Sequence, residues 1–392
     1  NIGYGIDDSL SGVASRYFED NGDELSSFAG YEMLINTQRS GHQRHPAIAI
    51  NQNDQLIYVW ESAGGGDDDA ETYDLANPFG IAARVYNIRP SGGSSGNGDP
   101  LTPEDFTVNT YTQGDQIAPD VVATKDGNFA VVWEDTHYIG TLSQDGGQSG
   151  IIMRVISPEG EEVGAETRVN THVLYNQMKP CIISLGDGNL FVAWQSAVQD
   201  SSSTDFGVYG RLMSKTGVPA SNEIHLNQEL YGDQKHISCA AISDATFMCA
   251  WTSDPGGNAL LGQDGNGDGI FGRIFANDGT PIGDEFVVNA VTNGNQSHPN
   301  VFTLADGKFG VAWQGELDFD GSYGIYARVF DKFGTPEAAN EANDLQLNTV
   351  EQQDQSGVDC VGLERGHFVC SWTSADGDNV SGDAIKFRFI DH

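Results

Sequence analysis

Apolar residues along this chain fall in short clusters. Phe106-Thr-Val-Asn109, Asp120-Val-Val-Ala123, Phe129-Ala-Val-Val-Trp133 and Gly150-Ile-Ile-Met-Arg154-Val follow one another, each rich in β-branched or aromatic residues and separated by Gly, Asp or Asn. Such runs suit a pleated, half-buried surface, and the residues between them supply turns. No stretch sustains the apolar period of an amphipathic helix. The pattern predicts strands throughout.

The clusters repeat. All six tryptophans stand 24 residues after an asparagine, in the pairs Asn36/Trp60, Asn109/Trp133, Asn170/Trp194, Asn227/Trp251, Asn289/Trp313 and Asn348/Trp372. A glutamine follows each asparagine by 7 residues: Gln43, Gln116, Gln177, Gln234, Gln296 and Gln355. The spacing between asparagines runs from 57 residues (Asn170 to Asn227) to 73 (Asn36 to Asn109). Gly-x-x-x-Arg closes each unit, at Gly80/Arg84, Gly150/Arg154, Gly207/Arg211, Gly269/Arg273 and Gly324/Arg328; the sixth keeps Arg388 with Ala384 in place of glycine. Four short strands per unit at this period mark a propeller blade. The expected fold is all-β, a six-bladed β-propeller of four-stranded blades with a surplus N-terminal strand. Strand A starts near the glutamine, B ends at the tryptophan, C carries the arginine and D ends at the next asparagine.

The A–B turn fixes a register. Lys125-Asp126-Gly127 fits a type I turn followed by a left-handed glycine. Residues 12 and 22 after the asparagine then lie opposite each other. In the fourth and sixth units both are cysteine, so Cys239–Cys249 and Cys360–Cys370 are expected disulfides. The fourth unit has Ala245 where the turn wants glycine, and its bridge offsets poor turn chemistry. Cys181 is left over and reads as a buried thiol.

Charge narrows the partners. The chain has 392 residues, 19 Lys plus Arg against 56 Asp plus Glu, and a net charge of −37. That opposes nucleic acid and anionic membrane surfaces. No apolar run reaches the roughly 18 residues of a membrane span, so no membrane insertion is expected. Asn1 reads as a processed or truncated start. Disulfides imply an oxidising compartment, and an extracellular, secreted protein is expected. The sequons at Asn295 and Asn379 are candidate glycosylation sites.

The chain ends carry the sharpest functional signal. Gly12-Val13-Ala-Ser-Arg16-Tyr17-Phe18 has the features of a C strand without a blade, and Tyr31 to Asn36 those of a D strand. The last unit has A, B and C strands and then stops. Tyr31–Asn36 can supply its missing D strand, which leaves one C strand surplus, either Gly12–Phe18 or Ile385–Ile390. Residues 1–30 are accordingly read as a tail with the surplus strand, and 31–392 as one propeller. The surplus strand has three fates: a fifth strand on its own blade, a frayed end, or the completion of a blade in another copy through main-chain hydrogen bonds. Head-to-tail exchange that does not close builds a filament.

Acidic loops are candidate metal sites. Asp264, Asn266 and Asp268 alternate with glycine in the B–C loop of unit four, the arrangement Ca²⁺ loops use, although Phe275 stands where a helix–loop–helix site has Glu. Asp318 and Asp320 occupy the same loop of unit five. His45, His236 and His298 each fall 9 residues after their asparagines and are read as capping or solvated groups. No Ser/His/Asp or Cys/His arrangement can be picked out, and no enzymatic activity is expected.

The string Phe286-Val-Val-Asn289, Gln296, Pro299, Asp306-Gly307, Val311-Ala-Trp313, Gly324-Ile-Tyr-Ala-Arg328 resembles repeats of large secreted bacterial proteins that carry calcium-binding RTX or adhesin modules. The resemblance spans about residues 12 to 390. It implies a secreted propeller of structural or adhesive type and transfers no catalytic residues. The expected function is an extracellular structural protein that self-assembles with copies of itself. The alternative is a monomeric, calcium-stabilised adhesion or glycan-binding propeller.

Overall fold

The computed structural model describes residues 12–15, 33–38, 41–63, 78–88, 99–136, 149–199, 205–254, 265, 267–316, 322–337, 343–349, 353–363, 366–375 and 384–391. Apart from one 3-10 turn at Ala305–Gly307, the regular elements among them are strands. Blade one has Gln43–Ile50, Gln55–Ala63 and Phe79–Asn87 as A to C, with Phe106–Thr107 as D and Asp99–Pro100 also on C. Blade two is Gln116–Ala123, Phe129–Asp135, Gly150–Ile156 and Thr167–Arg168. Blade three is Gln177–Ser184, Leu190–Ala197, Phe206–Met213 and Ile224–His225. Blade four is Gln234–Ala241, Thr246–Ser253, Gly269–Ala276 and Pro281–Val287. Blade five is Gln296–Thr303, Phe309–Gly315, Gly324–Phe330 and Leu345–Gln346. Blade six has three strands among the described residues: Gln355–Gly362, Phe368–Ser374 and Ala384–Ile390. The fold is a six-bladed β-propeller.

The chain divides into two compact units, residues 1–184 with 213–221, and residues 185–212 with 222–392. In the first, Trp133 packs with Ile57, Val59, Ile81, Val85 and Val108 of blade one. In the second, Trp313 packs with Met248, Ala250, Ile270 and Val288 of blade four, and Trp372 with Ala312, Ile325, Ala327 and Leu347 of blade five. These three tryptophans therefore fill the seam against the blade before them. Trp60, Trp133, Trp194, Trp251 and Trp313 are at most 1 % exposed. Burying a side chain of this size is worth roughly 3 kcal/mol.

The repeated asparagine closes the same seam. Its Oδ1 accepts the N–H of the residue after the C-strand glycine: Ile81 on Asn109 at 2.7 Å, Ile151 on Asn170 at 2.8 Å, Val208 on Asn227 at 2.9 Å, Ile270 on Asn289 at 2.8 Å and Ile325 on Asn348 at 2.8 Å. Its Nδ2 donates to the next blade's glutamine, as Asn109 does to Gln116 at 3.0 Å and Asn289 to Gln296 at 3.0 Å. One buried carboxamide thus ties the C strand of its own blade to the A strand of the next. The close approach explains the C-strand glycine, since a Cβ on Gly80 would sit 3.3 Å from Asn109 Oδ1 and one on Gly324 3.1 Å from Asn348 Oδ1. The arginines complete the pattern. Arg154 donates to the Val108 carbonyl at 2.7 Å, Arg328 to that of Val288 at 2.9 Å and Arg388 to that of Leu347 at 2.9 Å.

Both expected disulfides form, with Cys239 opposite Cys249 and Cys360 opposite Cys370. Cys181 is a half-buried thiol. In the turn with Ala245, the Ser243 hydroxyl takes the N–H groups of Ala245 and Thr246, both at 3.1 Å, so a serine supplies what glycine supplies elsewhere.

The N-terminal strand differs from expectation. Met33–Leu34 pairs with Ala14–Ser15 of its own chain, Ala14 opposite Leu34 and Ser15 opposite Met33. Blade six is left without a fourth strand among the described residues. The physical reason is that Val13 N–H already occupies Asn36 Oδ1, at 2.9 Å.

Asn109→Ala strips two buried hydrogen bonds and a part-buried one to the Tyr111 carbonyl, and is expected to cost about 2–4 kcal/mol, read as a lowered denaturant midpoint. Reducing the Cys239–Cys249 bridge is expected to cost about 2–3 kcal/mol by the same measurement.

Candidate functional site

Two groups of residues depart from the pattern of the repeats. The first lies on the terminal blades. Ile81, Ile151, Val208, Ile270 and Ile325 are all 0 % exposed, whereas Ile385 at the same position of blade six is 73 % exposed. Phe387 on the same strand is 45 % exposed. A groove of about 390 Å³ runs beside this strand, lined by Asn348, Gln355, Trp372, Lys386, Phe387 and Arg388. At its floor Trp372 Nε1 donates to Gln355 Oε1 at 3.0 Å. On blade one, Ile48 is 53 % exposed, although its counterparts Val121, Ile182, Cys239, Val301 and Cys360 are buried. Ile50 is also exposed. The pair Ala14–Ser15 and Met33–Leu34 supplies Val13 and Ile35 to the Trp60 cluster. Among the described residues that pair brings no further strand to lay over Ile48.

The second group starts each A strand. His45, Ala118, Lys179, His236 and His298 are non-glycine residues with φ between 49° and 55°, and Gly357 has φ 64° at the same place. Left-handed backbone at such residues stores on the order of 1–3 kcal/mol each. The freed N–H lands on the side chain just after a tryptophan: Ala118 on Glu61 at 2.7 Å, Lys179 on Glu134 at 3.2 Å, His236 on Gln195 at 3.1 Å and His298 on Thr252 at 3.1 Å. Sequence reasoning missed these acceptors. The available signal was that each tryptophan is followed by a hydrogen-bond acceptor: Glu61, Glu134, Gln195, Thr252, Gln314 or Thr373.

Gln195 and Thr252 show that this task needs no charge, yet blades one and two use carboxylates. Both glutamates are buried. Burial opposes ionisation of Glu61, but His45 Nδ1 at 2.9 Å, the Ala118 N–H and Arg44 Nε at 2.7 Å outweigh it and hold its carboxyl below the usual range. Burial pushes the Glu134 carboxyl above that range, against the lowering by the Lys179 N–H and the Ser149 hydroxyl. In the second unit, the rings of His236 and His298 stack with centroids 3.6 Å apart.

The remaining expected sites fall as follows. Gly12 and Val13 are described; Arg16, Tyr17 and Phe18 lie outside the described residues. Of the metal candidates only Asp268 is described, and Asp264, Asn266, Asp318 and Asp320 are not; among the described residues no three acidic, His or Cys groups are placed to hold a metal. Asp268 uses its backbone structurally, donating to Asn295 Oδ1 at 3.2 Å and accepting from Gln296 N–H at 2.8 Å. The Asn295 amide also donates to Glu316 at 2.8 Å, a bond that a glycan there would replace. Asn379 lies outside the described residues. No described helix is long and apolar enough to cross a membrane.

No protein-family model and no curated protein matches the chain. Among solved structures, a protein of unknown function from Dyadobacter fermentans is similar in fold at 10 % identity, with 91 % of this chain and 96 % of that one covered and a TM-score of 0.59. The NanB sialidase of Streptococcus pneumoniae is similar at 9 % identity over 89 % of this chain and 68 % of its own, TM-score 0.52. An α-L-arabinanase of Penicillium chrysogenum aligns at 17 % identity over 66 % and 77 %, TM-score 0.46. These likenesses concern the fold alone. The expectation that the chain is not an enzyme does not stand, because the NanB sialidase, an enzyme, is among the structures that share this fold. The absence of a catalytic spacing was a poor guide. Blades contribute residues one repeat apart, so a propeller site leaves no local motif.

Glu134→Gln tests the buried carboxylates. A raised folded pKa means stability present at low pH is lost as pH rises from the ordinary 4.5 through the folded value. The variant is expected to melt higher than the parent at pH 7, with the difference vanishing below pH 4.5. Glu61 has the opposite sign: its contribution exists above the unfolded pKa and is lost as pH falls through the lowered folded one. Glu61→Gln is expected to cost about 1–3 kcal/mol at pH 7 and little in strong acid. Thermal melts across pH measure both.

Proposed function

We propose that this protein is an extracellular propeller that associates with copies of itself through its terminal blades, by exchange of a terminal strand. The observation that carries the reading is Ile385, 73 % exposed where its five counterparts are sealed. Exposed apolar side chains beside an open strand edge template the pairing of another chain. Burying Ile385 and Phe387 together is worth roughly 3–5 kcal/mol. The association is head-to-tail, because the two open faces differ, and repetition without closure produces a filament. Two disulfides suit a secreted setting.

Electron microscopy of native, unconcentrated protein tests this. Filaments or short chains of particles are expected, and Ile385→Asp with Phe387→Asp should leave single particles whose melting matches the parent. Added salt should strengthen association, because copies carrying −37 repel at low ionic strength. Single particles from the parent chain under all salt conditions would sink the reading.

A further inference from the structure

The C-strand residue two places after the repeat glycine faces the tryptophan directly. Ile152 lies opposite Trp133, Phe271 opposite Trp251 and Tyr326 opposite Trp313, and Tyr209 holds the same place in blade three. All four are bulky and buried. Blade one has alanine there instead, with Ala82 opposite Trp60. A cavity of about 350 Å³ opens at Ala82. Pockets that take small molecules run from about 300 to 1,000 Å³.

Blade five shows what shape this space has. There the Tyr326 ring runs beside two glycines. A Cβ on Gly315 would sit 3.2 Å from Tyr326 Cδ2, and one on Gly324 3.1 Å from both Tyr326 Oη and Asn348 Oδ1. The counterparts of Gly315, Gly324 and Asn348 in blade one are Ser62, Gly80 and Asn109, and all three line the cavity with Ala82. The seam is otherwise built alike in the two blades. Arg84 donates to the Ile35 carbonyl at 2.6 Å, as Arg328 does to that of Val288 at 2.9 Å. Asp105 takes the N–H groups of Thr37 and Gln38, as Asp344 takes those of Ala290 and Val291. What differs is the side chain opposite the tryptophan. Alanine in place of tyrosine leaves the volume of one phenol ring, and a packed core relaxes only partly around such a loss.

The wall narrows the occupant further. Phe79 and Phe106 line the cavity, and aromatic side chains pair favourably with an aromatic guest. Asp105 also lines it, and its Oδ1 is buried and accepts no hydrogen bond among the described residues. A buried acceptor of this kind gains from a donor on the guest. Gln38, Thr107 and Thr112 are exposed lining residues, so the mouth gives on to solvent. A carboxylate on the wall and a net charge of −37 oppose an anionic guest. We infer that blade one holds a binding site for a small phenol, an uncharged aromatic ring whose hydroxyl donates to Asp105. The ring takes the place in blade one that Tyr326 fills in blade five. The site is complete within one chain and does not depend on self-association.

Titration calorimetry of the full chain with p-cresol, the tyrosine side chain as a free molecule, tests this. The parent is expected to bind one equivalent. Ala82→Tyr tethers a ring in the cavity and should weaken binding by about tenfold or more. Ala82→Leu, a smaller filler, should act in the same direction and decides the matter if the tyrosine variant does not fold. Tyr326→Ala opens the matching space in blade five and should raise the stoichiometry to two equivalents. 4-Methylbenzoate carries the same ring with a negative charge and should bind about tenfold more weakly than p-cresol. A parent chain that binds no p-cresol overturns the inference, as does unchanged binding in a folded Ala82 variant. A folded Tyr326→Ala that still takes one equivalent overturns the shared shape on which the site rests. Equal binding of 4-methylbenzoate overturns the choice of an uncharged phenol.

Discussion

One buried carboxamide governs this fold. The asparagine that ends each D strand accepts a main-chain N–H from the C strand beside it and donates to the glutamine that begins the next blade, as Asn109 does with Ile81 and Gln116. Both ends of the amide are satisfied only when two neighbouring blades are in place. An unpaired buried amide is costly, so the group gives angular precision as well as stability. The tryptophan that packs across the same seam contributes most of the burial, while the asparagine sets which strand faces which.

That constraint makes the chain ends exceptional. Asn36 stands before the first four-stranded blade, and residues 12–15 hold it through the Val13 N–H. The consequence is visible in side-chain exposure at Ile48 and Ile385. Open edges of this kind are ordinarily blunted by charge or by a covering strand. Here a short strand covers one end, and the other carries isoleucine and phenylalanine.

Acidity has a structural share in this molecule. Asp105, Glu166, Glu285 and Asp344 each accept backbone N–H groups just after an anchor asparagine, at Thr37, Thr110, Gln228 and Ala290. Asp115, Asp233 and Asp354 cap the starts of C strands at Phe79, Phe206 and Tyr323. Part of the large negative charge is therefore spent on turns. Glu61 and Glu134 are different, because Gln195 and Thr252 accept the same kind of N–H without charge.

Blade number, strand order, the A–B register and both disulfides were legible in the sequence, because a repeat with invariant offsets averages away the ambiguity of any single strand. Cys239 opposite Cys249 followed from turn length alone. Three things were not legible. The left-handed residues at Ala118, Lys179, His236 and His298 range over three side-chain types, since the N–H of each is taken by an acceptor on the neighbouring blade. The divergent surroundings of Glu61 and Glu134 depend on Arg44, His45 and Ser149, which packing brings to them. The partner of Asn36 was undecided, because Gly12–Phe18 and Ile385–Ile390 have the same strand features. Local pattern determines which residues form strands and how each blade is registered. Which of two equivalent strands occupies a shared edge depends on contacts distant in the chain, and only the tertiary structure decides it.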